Sequence, residues 1–183
     1  MLRRRSRTPA PPAFDATQLP ARYQPPVHAA IAAVRRFDEL VAGLPAGPIS
    51  ERIAAMRPRI AAGVQAVWAT ADRAARVDRY LATVDADRIT AELKAARRSA
   101  AAPEHVAALS ARFESVQRLL NGRDEIEQRL PIAEARLDAA VARAAELALL
   151  SWVGEGDFAA LDAQLDSAVV ELEALGAAVA ELR

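Results

Sequence analysis

The residues of this chain most capable of chemistry are its carboxylates, several of which lie close together in the sequence. They form three sets: Asp85/Asp87, Asp124/Glu125/Glu127 and Glu171/Glu173. Two carboxylates act as general acid and base when an apolar pocket raises the pKa of one of them. None of these spacings requires such a pocket, and each set falls at an expected helix start or on a solvated helix face. We interpret the carboxylates as caps and surface charge.

The other groups with catalytic potential are isolated. His28 and His105 each stand two residues after a proline, at the start of a predicted helix, where the helix dipole disfavours a cationic imidazole. The chain has no Cys, and the HExxH, GxSxG and GxxxxGK patterns do not occur. These observations predict a protein that is not an enzyme and that has no metal, no cofactor and no small-molecule substrate.

Positive charge is concentrated in two short segments. Arg3, Arg4, Arg5 and Arg7 lie in a proline-rich N-terminal stretch, and Arg88, Lys94, Arg97 and Arg98 lie on a predicted helix. Near an anionic membrane each such charge contributes about 1 kcal/mol, so the N-terminal arginines predict at most weak, salt-sensitive attachment to a membrane surface. No aromatic residues alternate with the cations, so stacking on single-stranded nucleic acid is not expected. For the helical cluster a solvated face is the simplest interpretation.

The clearest pattern in the chain lies in its last 27 residues. Apolar side chains recur at spacings of three and four: Phe158, Leu161, Leu165, Ala168, Leu172, Leu175, Val179 and Leu182. This rhythm places one apolar seam along a helix. Burying a large apolar side chain contributes ~1.5–3 kcal/mol, so the seam requires a partner in the same chain or in another one. Leu161, Leu165, Leu172 and Leu175 are our candidates for contact with a protein partner or with a second copy.

The remaining elements follow from similar periodicity. The sequence predicts helices over 26–42, over about 50–84 with a kink near Ala54 caused by Pro58, and over 88–101. Over 103–150 the seam shifts at Asn121-Gly122, which indicates either a break or one bent helix; we favour the continuous helix. The final helix, with Asp157 as its cap, follows a short turn and is expected to return antiparallel along 128–150.

Composition agrees with this fold class, because the sequence is 52 % hydrophobic but only 4 % aromatic, as in long helices and coiled coils. We predict an all-α, elongated antiparallel bundle or coiled coil of four to five helices. It forms a single domain over 27–183, preceded by a disordered Pro/Arg-rich tail over 1–26. We expect a cytoplasmic scaffold or adaptor that acts through helix–helix contacts and self-associates. The alternative is a peripheral membrane protein held by the basic tail.

Overall fold

A computed structural model describes residues 14–149 and 155–180, except for the side chains of six positions in the last helix. Every regular element in these ranges is helical, which confirms the predicted all-α class. The α-helices are α1 (Gln24–Gly43), α2 (Pro48–Ala54), α3 (Arg57–Leu81), α4 (Ala86–Arg98), α5 (Pro103–Leu149) and α6 (Glu155–Ala180). Two short 3₁₀ turns, Ala16–Gln18 and Ala21–Tyr23, precede α1.

Four helices form a bundle in which α3 and α5 are central. Both α1 and α6 pack on α3 and on α5, and α3 packs on α5, so α1 and α6 lie on opposite sides of the central pair. Ion pairs show the directions of the helices. Arg143 and Arg136 of α5 contact Asp157 and Glu171 of α6, so these two helices are antiparallel, which confirms the predicted return of the last helix.

The last helix also has a neighbour that the loop lengths did not predict. Arg59 of α3 pairs with Asp162 of α6, and further along α3 the Thr70 hydroxyl donates to the Leu172 carbonyl at 3.4 Å. The residue numbers rise together, so α3 and α6 run parallel. Thr70 is the one buried polar residue within the described ranges, and this bond gives its hydroxyl a partner inside the core.

The N-terminal segment is ordered over a longer stretch than expected. From Phe14 onward the chain is folded against the bundle, and Leu19 and Tyr23 are buried there. The Phe14 ring lies 5.4 Å from the Trp68 ring. Pro25 and Pro26 fit because the first turn of α1 needs no backbone donors. The predicted boundary of the tail at residue 26 is therefore too late, while residues 1–13 lie outside the described range.

Two predictions about helix boundaries need correction. The kink expected near Ala54 is a full break, because α2 ends at Ala54 and α3 begins at Arg57, with Pro58 in its first turn. Asp157 does not cap the final helix, since α6 already begins at Glu155. By contrast, α5 is continuous across Asn121-Gly122, as predicted, and extends for 47 residues, or ~70 Å at 1.5 Å per residue.

The N-terminal part of α5, residues 103–120, pairs with α4, and near the end of this part Leu119 packs against the core of the bundle. We call α4 together with residues 103–120 the arm. Its buried residues Ile89, Leu93, Ala96 and Val116 are separate from the continuous core of the bundle. The α5 seam shifts where the arm meets the bundle, because the helix there exchanges one partner for three. Asp85 is the N-cap of α4: its Oδ1 accepts a hydrogen bond from the backbone N–H of Arg88 at 2.8 Å.

Candidate functional site

The seam of the last helix faces the interior of its own chain. Leu161, Leu165 and Leu172 are buried among α3 and α5, each with at most 2 % of its surface exposed. The side chain of Leu175 lies outside the described residues. The apolar partner required by this seam is therefore present within the same molecule for Leu161, Leu165 and Leu172, and these three leucines do not form an outer surface.

The opposite side of α6 is also free of charge. A second set of residues recurs there at spacings of three and four, and all of its members are exposed: Ala159, Ala163, Ser167, Val170, Ala174 and Ala177. Val170 has 63 % of its surface exposed. The outer side of a surface helix in a globular protein normally carries charged residues, and a helix that is apolar on all sides is normally covered. Within residues 14–149 and 155–180, nothing covers the outer side of α6.

The neighbouring strip of α5 has the same character. Ile132, Ala135, Ala139 and Ala142 are spaced by three, four and three and are all exposed, and Ile132 exposes 51 % of its surface. We call this strip and the outer side of α6 the α5/α6 face. Beyond the strip, at the end of α5, Leu149 exposes 77 % of its surface. Large exposed apolar side chains that lie close together on a surface are typical of interaction sites.

A shallow groove runs between the two helices on this face. It encloses about 420 Å³ and is lined by Arg136, Ala139, Ala163, Gln164, Ser167 and Ala168. The Arg136–Glu171 pair lies at one end, and the contact of Arg143 Nη2 with Asp157 Oδ1, at 3.3 Å, lies toward the other. Exposed ion pairs contribute little to stability, so their main effect here is to fix the register of the two helices. The small side chains leave room for an apolar side chain from another helix.

A group of ionisable side chains lies near the place where the arm joins the bundle. Arg22 pairs with Asp78, approaches Glu127 Oε2 at 3.7 Å, and has its guanidinium 5.2 Å from the centre of the Tyr23 ring. Burial raises the pKa of Tyr23, and the neighbouring Asp78 carboxylate raises it further. Tyr23 is therefore held neutral. The arrangement attaches the segment before α1 to α3 and α5.

A second perturbed carboxylate lies between α1 and α5. Burial raises the pKa of Glu134, the negative charge of Asp138 raises it further, and the nearby Arg36 opposes the shift. Arg36 itself pairs with Asp138 across the two helices. This is a surface ion-pair arrangement with one partly desolvated member, and it lies away from the α5/α6 groove.

The histidines and carboxylates that the sequence singles out as candidates do not come together in the structure. His28 and His105 are exposed on different helices. Asp124 pairs with its neighbour Arg123, and Glu171 pairs with Arg136. Within residues 14–149 and 155–180, no three His, Cys, Asp or Glu side chains are arranged to hold a metal ion. Arg3, Arg4, Arg5 and Arg7 lie outside the described residues, so membrane attachment through them stays a prediction.

Sequence reasoning missed Ile132 and Val170. The sequence does contain a signal for Val170, because an uncharged row recurs at spacings of three and four on the side of α6 opposite the inner seam. In an alanine-rich helix such a row is easy to overlook. Across the ranges that the structure describes, no helix is both long enough and apolar enough to cross a membrane. The chain matches no protein-family model, no curated protein and no solved structure.

Proposed function

We propose that this protein is a non-catalytic scaffold that assembles through helix–helix contacts, with a second copy of the chain docked on the α5/α6 face. One observation carries the proposal: α6 has uncharged rows on two opposite sides, and of these the residues that the structure describes cover only the inner one. The non-catalytic part rests on the sequence, which offers no nucleophile–base pattern and no cofactor motif.

The composition of the face supports a helix as the docked element. Alanine and serine side chains let two helix backbones approach closely, while Ile132 and Val170 supply the side chains that fill a groove. Because the face carries no charge between its two ion pairs, a second copy of it meets no like charge there.

The size of the face indicates how strong the contact is. Its length corresponds to about 18 residues of α6, or ~27 Å, and two neighbouring helices span about 20 Å, which gives ~500 Å² per copy. Two copies would bury ~1,000 Å², close to the lower limit for a specific interface. We therefore expect a weak dimer whose population rises with protein concentration.

Light scattering behind size exclusion, over a hundredfold range of concentration, tests this proposal. The wild-type mass should rise toward that of a dimer, and Val170→Glu or Ile132→Glu should keep the protein monomeric, because either change places a charge in the contact. Tyr80→Glu is the matched control, since Tyr80 is a comparably exposed apolar residue on α3. A wild-type monomer at every concentration contradicts the proposal, as does a dimer that persists in both face variants.

A further inference from the structure

The arm exposes part of an apolar seam that is fully covered elsewhere on the same helix. In the bundle, Ile126, Leu130 and Leu137 of α5 are buried with at most 2 % of their surface exposed. In the arm, Val116 is buried, but Val106, Leu109, Phe113 and Leu120 are only half-buried. The helix and its periodicity are the same, so the difference comes from the number of covering helices. Two helices cannot cover a seam on both flanks, whereas three can.

The two flanks of the arm differ in charge. On one flank Arg88 contacts Glu92 at 2.7 Å and Arg112 contacts the same carboxylate at 3.7 Å, so the charges there are balanced within the arm. On the other flank neither Lys94 nor Arg97 makes an ion pair with any described residue.

Arg97 is nevertheless fixed in place, because its Nη2 donates to Ser110 Oγ at 3.2 Å across the two helices. Ser110 belongs to a row in which Val106, Ser110, Phe113 and Gln117 follow one another at spacings of four, three and four. Lys94 and Arg97, which make no ion pair with a described residue, therefore border the flank on which Val106 and Phe113 are half-exposed.

We infer that this flank of the arm binds an acidic amphipathic helix of a partner protein. That helix completes a three-helix bundle with α4 and residues 103–120 of α5. Leucine-like side chains of the partner would cover Val106 and Phe113, and its carboxylates would pair with Lys94 and Arg97. The surface is distinct from the α5/α6 face, so this inference does not depend on self-association.

The chemistry of the flank favours a helix over a polyanion. Its floor is apolar, and covering Phe113 and Val106 contributes only if the partner brings apolar side chains in helical register. Two cations beside Ser110 and Gln117 neutralise few phosphates, and the one aromatic ring among residues 86–98 and 103–120, that of Phe113, is half-buried. The test must therefore also be able to detect binding of a nucleic acid to this flank.

Fluorescence anisotropy with the full-length protein and three labelled peptides tests the inference. The first peptide has about 21 residues, with Leu on a three–four seam and Glu on its flanks; the second replaces each Glu by Lys; the third is a scrambled form of the first. Only the first should bind saturably, and it should slow amide hydrogen exchange over 103–120. A DNA oligonucleotide of equal charge provides the polyanion comparison.

Charge reversal provides the matched variants. Lys94→Glu with Arg97→Glu should weaken binding of the first peptide by about tenfold, and the variant should bind the lysine peptide instead. Binding of the lysine peptide requires a folded arm, so it also shows that the variant is folded. Arg35→Glu with Arg79→Glu, on the bundle, should leave both affinities unchanged. The inference is contradicted if no peptide binds, if the scrambled acidic peptide binds as tightly as the first, or if the oligonucleotide competes at equal concentration.

Discussion

Replacing Leu165 by alanine tests whether the inner seam of α6 is part of the core of a single chain. Leu165 exposes 1 % of its surface, so the substitution removes an apolar side chain that is almost completely withdrawn from water. Long helices on both sides, α3 and α5, limit collapse of the space that is left. For buried leucines under such conditions the loss is about 3 kcal/mol, which combines the transfer and cavity contributions. In a chain of 183 residues this corresponds to a fall in Tm of about 6–12 °C.

The same helix provides the control. Val170 lies five residues further along and exposes 63 % of its surface. Val170→Ala should change the free energy of unfolding by less than about 0.5 kcal/mol, because alanine favours the helix slightly and little packing is lost. The assay is urea unfolding followed by circular dichroism, at low protein concentration so that self-association does not contribute. If Leu165→Ala is as stable as wild type, or if Val170→Ala is equally destabilising, the orientation of α6 described above is wrong.

Three further predictions follow from individual contacts. At Gly63 a Cβ would lie 3.0 Å from Leu137 Cδ1, so Gly63→Leu overpacks the α3–α5 contact and should lower the free energy of unfolding by about 1–3 kcal/mol, as measured in urea. The pKa of Tyr23 is raised in the folded state, so its contribution to stability is complete below about pH 10 and is lost as the pH rises through the folded pKa; Tyr23→Phe should reduce that alkaline loss in urea titrations, while the exposed Tyr80→Phe should not. Asp85→Ala removes the cap of α4 and should speed amide exchange in α4 by about fivefold, corresponding to ~1 kcal/mol, without changing exchange in α3.

The sequence predicted the helices well because their signals are local. Seam spacing, prolines at helix starts and the Asp85 cap depend on neighbouring residues, so the positions of α1, α4 and α5 follow from them. The antiparallel return of α6 onto α5 follows from the short connection between them. The continuity of α5 through Gly122 agrees with the apolar spacing of three and four, which resumes at Ile126 and Leu130 soon after Gly122.

The surface could not be predicted in the same way, because a seam shows that a helix has a partner without showing which one. The α6 leucines are partly covered by α3, a parallel neighbour that is distant in sequence. That choice depends on the packing of all four helices. Once α3 and α5 cover the inner seam, the outer row with Val170 is left as the exposed side. The α5/α6 face can therefore be identified only once it is known which residues are buried in the core.

The unbroken course of α5 has a mechanical consequence. Within α5 no loop separates the arm from the bundle, so the backbone hydrogen bonds of one helix join them across Gly122. The 18 residues from 103 to 120 extend ~27 Å, and tilting them by one degree displaces the far end by ~0.5 Å. A change in the direction of α5 near Glu127 would therefore be amplified at the far end of the arm. Arg22, which contacts Asp78 of α3 and Glu127 of α5, joins the two helices close to this place.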